Sequence, residues 1–208
     1  MLKRNGQLCQ HSVPEYSGRL TDGEFEAYKS LFGSVEGDFN DLSAITEGLT
    51  KLEKSLPDLL KMISTPTSGN VEGQDGSEWQ ILTPLPDNRQ AEMLWCKRQL
   101  GEKEEFAVVE RFPEDSPLAK AQGQFDVQMT DSDPLRLLRD FISARREASQ
   151  FFANDIIATA QEQAAEKYPG QDLNRVLEAI SHRCTKSISP EQTVTPAQTR
   201  KQSEGMHI

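Results

Sequence analysis

The sequence predicts an α+β fold that is mainly α: N-terminal helices, a small antiparallel sheet and a C-terminal helical hairpin. Three observations predict it. Large apolar residues recur at helical spacing between Leu42 and Ile63, residues 79–130 break into short runs rich in β-formers, and two helical runs follow Asp131.

Residues 1–20 mix Gly6, Pro14 and Gly18 with polar groups and show no period, as expected of a flexible leader. Order is expected from Thr21. Thr21 and Glu24 make a capping-box pattern, and Phe25, Tyr28, Leu31 and Phe32 give a short helix an aromatic face that Gly33 should end. A second helical run starts near Asp38 and carries the ladder Leu42, Ile45, Leu49, Leu52, Leu56, Leu59 and Ile63, whose steps of 3 and 4 are those of a coiled-coil seam.

Pro57 sits inside that ladder, where the lost hydrogen bond and ring clash cost about 3 kcal/mol. Ser55-Leu56-Pro57-Asp58 also reads as a fresh N-terminus, with Ser55 as cap and Pro57 in the first turn. The flanking seam positions Asp41, Thr46, Gly48, Glu53, Ser55, Leu60 and Met62 lack opposite-charge pairs. A break or kink at 55–57 is therefore expected.

Residues 21–64 form an acidic helical module in this reading, and residues 65–78, with three glycines, a proline and one aliphatic side chain, are its linker to the rest. Residues 79–186 hold a sheet and a hairpin of helices. Phe125, Val127 and Met129 alternate as in a strand, and Gly101-Glu102-Lys103-Glu104 suits a turn between two strands. Residues 88–100 fit either a strand or a helix, because Ala91, Leu94, Trp95 and Arg98 also keep a 3.6 period. Asp131 or Ser132 can cap the next helix, Pro134 suits its first turn, and Tyr168-Pro169-Gly170 ends it. A last helix opens at Asp172, and the tail 187–208 has no period and is expected to be disordered.

Composition narrows the function classes. Net charge is -10, and 36% hydrophobic residues with a mean hydropathy of -0.63 are low for one compact globule. Residues 1–78 carry 7 Lys/Arg against 13 Asp/Glu, residues 79–130 carry 6 against 9, and residues 131–208 carry 10 against 11. The acidic front repels phosphate backbones and favours basic partners. Cys9, Cys96 and Cys184 form no paired framework, which fits a reducing compartment, and no apolar run is long enough for a membrane span or signal core.

No catalytic, cofactor or metal motif stands out. His182 and Cys184 are two apart on a helix and do not face each other, while Cys9 and His11 lack further ligands. Asp131 and Asp133 suit capping better than Mg2+, Glu104, Glu105, Glu114 and Asp115 suit solvated turns, and Phe141, Phe151 and Phe152 suit the core. Arg136, Arg139 and Arg146 share one helix face that could hold phosphate, an acidic partner or the chain's own acidic N-terminal region. Five prolines follow Ser or Thr, at 66, 84, 117, 190 and 196, a pattern equally suited to phosphorylation and to turns.

The function expected from these residues is non-enzymatic: a self-associating adaptor, scaffold or accessory subunit that binds proteins, itself included, through the ladder. Architectural analogy places such a plan among viral, phage or secreted effector proteins of the cytoplasm, a host's included. Two rivals stand beside it, a nucleic-acid-associated accessory protein using the arginine face and a small enzyme whose site is assembled from distant residues.

Overall fold

The computed structural model describes residues 20–65, 69–86 and 92–189. The expected leader lies outside the described residues but for Leu20; of the tail expected to be disordered from residue 187, Ser187 and Ile188 instead extend the last helix, and the part beyond Ser189 lies outside the described residues. The element order is α1 (Asp22–Lys61), a 3-10 turn (Met62–Ser64), β1 (Gly69–Glu72), β2 (Glu78–Pro84), β3 (Glu92–Leu100), β4 (Lys103–Arg111), α2 (Pro117–Gln122), β5 (Phe125–Asp131), α3 (Pro134–Lys167) and α4 (Asn174–Ile188). The mainly helical α+β class is as the sequence predicts.

The capping box forms as expected: the Glu24 amide donates to Thr21 Oγ1 at 3.3 Å and the Thr21 amide donates to Glu24 Oε2 at 2.7 Å. Gly33 does not end the helix, and Pro57 lies within it. Both corrections have one cause. Val35, Phe39 and Leu42 are buried beyond Gly33, and Leu59 is buried beyond Pro57. A buried large aliphatic contributes about 1.5–3 kcal/mol, so the tertiary contacts outweigh a glycine that costs about 1 kcal/mol and a proline that costs about 3 kcal/mol. Ser55 does not cap; its hydroxyl donates back to the Lys51 carbonyl at 2.8 Å.

The interval expected as a linker is partly folded. Residues 69–72 pair antiparallel with β2, from Gly69 opposite Ile81 to Glu72 opposite Glu78. The intervening Asp75-Gly76 closes a tight turn in which Gly76 takes a φ of +76°, a conformation that favours glycine, and the Gly73 amide donates to the Ser77 carbonyl at 2.8 Å. The glycines there serve a hairpin. Residues 92–100 are a strand, not a helix, while residues 87–91 lie outside the described residues. Gly101 makes the expected turn, setting Leu100 opposite Lys103. The last helix begins at Asn174, whose amide donates to Asp172 Oδ1 at 3.1 Å.

The five strands follow one another in a meander, β1-β2-β3-β4-β5, all antiparallel. One face, with Leu82, Met93, Trp95, Phe106 and Val108, packs on Leu52 and Leu59 of α1 and on Leu137, Leu138, Phe141 and Ile142 of α3. The opposite face gathers Val71, Trp79, Leu94, Cys96, Ala107 and Val109 with Phe125 and Val127. The sheet curls to bury that second face. Although β1 and β5 stand at opposite ends of the strand order, a Cβ on Gly73 would lie 3.1 Å from Val127 Cγ2.

A second core lies at the other end of α1 and α3. Tyr28, Leu31, Phe32, Val35, Phe39 and Leu42 of α1 meet Ala153, Ile156, Ala160 and Ala164 of α3 and Val176, Ala179, Ile180 and Cys184 of α4. Large rings on one helix against alanines on another let the backbones approach closely. The long pair α1 and α3 thus carries a helical core at one end and a helix-on-sheet core at the other.

Candidate functional site

The ladder of α1 is divided between the two cores. Leu42 belongs to the helical core, and Leu52 and Leu59 to the helix-on-sheet core, against which Leu56 and Ile63 pack half-buried. Leu49 is buried between them and Ile45 is half-buried. The apolar face that the sequence offers to another chain is covered by α3, α4 and the sheet.

The arginine face is also engaged within the chain. Arg136 grips Asp131 through Nε and Nη2, both at 2.6 Å, and this pairing, with the Asp133 amide, pulls the Asp131 carboxyl down to about 2. Arg146 donates to Glu53 of α1 at 2.6 Å, so one of the three outcomes expected, a grip on the chain's own acidic region, holds for this residue. Arg139 is exposed and, among the described residues, takes part in no ion pair.

Asp133, and not Asp131 or Ser132 as expected, caps α3, its Oδ1 accepting from the Leu135 amide at 2.9 Å and the Arg136 amide at 3.1 Å, and Asp131 accepts from the Asp133 amide at 2.8 Å. The D-x-D pair therefore organises a helix start. Cys184 is buried beside exposed His182, and burial pushes its thiol up to about 11; burial likewise raises Cys96 to about 12. Glu104 and Glu105 pair across the hairpin with Lys97 at 3.4 Å and Arg98 at 2.7 Å. Among the described residues no group of three or more His, Cys, Asp or Glu side chains could hold a metal ion, and no helix is long and apolar enough to cross a membrane. Cys9 and His11 lie outside the described residues. Of the Ser/Thr-Pro sites, Ser116 caps α2 and accepts from the Ala119 amide at 3.0 Å, and Thr83 donates to the Pro84 carbonyl at 3.2 Å.

Two surfaces emerge that were not expected as units, although Phe151 of the first was expected in the core and Arg146 of the second on an anion-holding face. Phe141 is buried and Phe152 half-buried, as expected of core residues, but Phe151 is 71% exposed. It stands at the middle of the outward face of α3. At 100° per residue, Ala144, Ala148, Glu147, Asp155 and Glu162 all lie within about 60° of it, and all are exposed. The local signal was the 4, 3, 4, 3 stepping of residues 144, 148, 151, 155 and 158.

The second surface is a notch of about 390 Å³ between the two cores, where α1 from Ser43 to Lys54 faces Arg146 of α3 and the end of α4 from Lys186 to Ser189. Its residues come from three distant segments, so no local pattern announces it. No protein-family model, curated protein or solved structure matches the chain.

Proposed function

We propose that this chain is an interaction protein, an adaptor or accessory subunit, whose outward α3 face docks a basic amphipathic helix of a partner protein. The observation that carries the reading is Phe151, a large ring left 71% exposed at the centre of a face bordered by Glu147, Asp155 and Glu162. An isolated exposed aromatic is ordinary. Here the ring stands beside the small Ala144 and Ala148, which leave room for a neighbouring backbone, and within a carboxylate rim that selects cationic flanks. Buried free thiols at Cys96 and Cys184 suit the reducing cytoplasm as its place of work.

Self-association is the second reading, and charge weighs against it on this face: a twofold pair would set three carboxylates against three. Sedimentation, together with titration of a synthetic leucine/lysine amphipathic peptide, tests both. The expected result is a monomer that binds the peptide, more weakly as salt rises, and a Phe151→Asp variant that keeps its helical circular dichroism but loses binding. Equal binding by Phe151→Asp would reduce the interaction to unspecific charge and overturn the proposal. A dimer that Phe151→Asp converts to monomer would replace it with self-association.

A further inference from the structure

The turn between α3 and α4 closes a second cavity, of about 410 Å³, a size within the range of small-molecule pockets, about 300–1,000 Å³. Its floor is apolar, from Ala164, Leu173 and Leu177, and its exposed rim carries Gln161, Gln171 and Asn174. Tyr168 joins the two. It packs half-buried against the helical core and also lines the cavity. Its backbone is pinned on both sides, the amide donating to the Ala164 carbonyl at 3.0 Å and the carbonyl accepting from the Gln171 amide at 3.2 Å. Gly170 takes a φ of +76° inside that turn, which holds Tyr168 and Gln171 in a fixed relation before any ligand arrives.

The chemistry of the lining narrows the ligand. Three primary amides each offer donors and an acceptor, which suits hydroxyl groups that also do both. Asp172 accepts the Asn174 amide through Oδ1 at 3.1 Å, and a carboxylate has a second oxygen for further hydroxyls. Among the described residues lining the cavity there is no Lys, Arg or His, and the nearby Arg175 turns to Glu24 at 3.2 Å. The cavity itself therefore offers a phosphate no cation. The ring of Tyr168 supplies an apolar surface with a polar tip, a platform for the C–H face of a sugar.

We propose that this cavity binds a neutral hexose, its C–H face on Tyr168 and its hydroxyls bonded to Asp172 and to the amides of Gln161, Gln171 and Asn174. Titration of the isotope-labelled full chain with glucose, mannose and galactose, followed by amide magnetic resonance, tests it, with adenosine and putrescine as the competing base and cation. At least one hexose is expected to bind saturably and to move the side-chain amide signals of Gln161, Gln171 and Asn174. Tyr168→Ala should weaken it about tenfold, the size of one lost ring contact, and Tyr168→Phe should restore most of that loss. Asp172→Asn, which keeps an oxygen for the Asn174 amide, should weaken it about tenfold with circular dichroism intact. Absence of saturable binding by any of the three hexoses overturns the proposal. Tighter binding of adenosine or putrescine overturns the sugar assignment. Shifts confined to other residues, or an affinity unchanged in both Tyr168→Ala and Asp172→Asn, show that binding lies elsewhere and overturn the site.

Discussion

Arg183 of α4 lies over the ring of Phe32 in α1, its guanidinium carbon 4.2 Å from the ring centroid, and donates to the Tyr28 hydroxyl at 3.2 Å. The ring of Phe39 is 4.7 Å away, and Tyr28 and Phe32 stack at 5.6 Å with planes 7° apart. A planar, weakly hydrated cation fits such a set of rings, whereas a compact ammonium keeps its water. Arg183→Lys should therefore lower stability by about 1 kcal/mol and Arg183→Ala by about 2 kcal/mol in urea unfolding. A lysine variant as stable as the parent would show that charge alone is what the rings require.

Gly33 and Gly37 stand in the middle of α1, exposed, and a Cβ added at either meets nothing within 4 Å. Replacing both with alanine should raise stability by about 0.5–1 kcal/mol per site, because alanine has less backbone freedom to lose on folding. The midpoint of thermal or urea unfolding measures it, and a fall would mean that these positions face a contact outside the described residues.

Leu52 is 2% exposed and packs under the sheet. Leu52→Ala should cost about 2–5 kcal/mol. Leu52→Asp combined with Leu49→Asp should abolish the cooperative transition, since neither carboxylate would find a partner in the core. If both variants instead kept full helicity and changed only the solution mass, the ladder would be an intermolecular seam after all.

Asp131 supplies a pH dependence with a definite sign. Its folded value, about 2, lies below the ordinary 3.8 because Arg136 and the Asp133 amide favour the carboxylate. The stabilisation is complete above pH of about 4 and disappears as pH falls through about 2. The stability gap between the parent and Asp131→Asn, followed by urea unfolding across that window, should close toward acid. A gap that stays constant would remove Asp131 from the acid limb.

Local chemistry was legible in the sequence and long-range burial was not. The Thr21–Glu24 box, the turn at Gly101 and the capping role of the Asp131–Asp133 pair depend on residues within a few positions of one another. Gly33 and Pro57 misled for the opposite reason: their local preference is to end a helix, and only the distant partners of Phe39 and Leu59 reverse it. Asp75-Gly76 is a recognised hairpin signal that composition masked, since the surrounding glycines also suit a linker. Phe151 and Phe152 point about 100° apart on one helix, and choosing which is buried requires knowing where α1 lies. The notch draws on positions near 50, 146 and 187 and leaves no trace in any one segment.

The pairing of the first helix with the last also sets a schedule for synthesis. Arg175 bonds Glu24 across 151 residues of chain. A ribosome adding roughly 5–20 residues per second needs about 8–30 s to travel between them. Throughout that interval the nascent α1 presents Tyr28, Leu31 and Phe32 without the last of the two helices that will cover them. Messages truncated before codon 174 would release a chain whose aromatic flank lacks the cover of Val176, Ala179, Ile180 and Cys184, a substrate for chaperones and proteases.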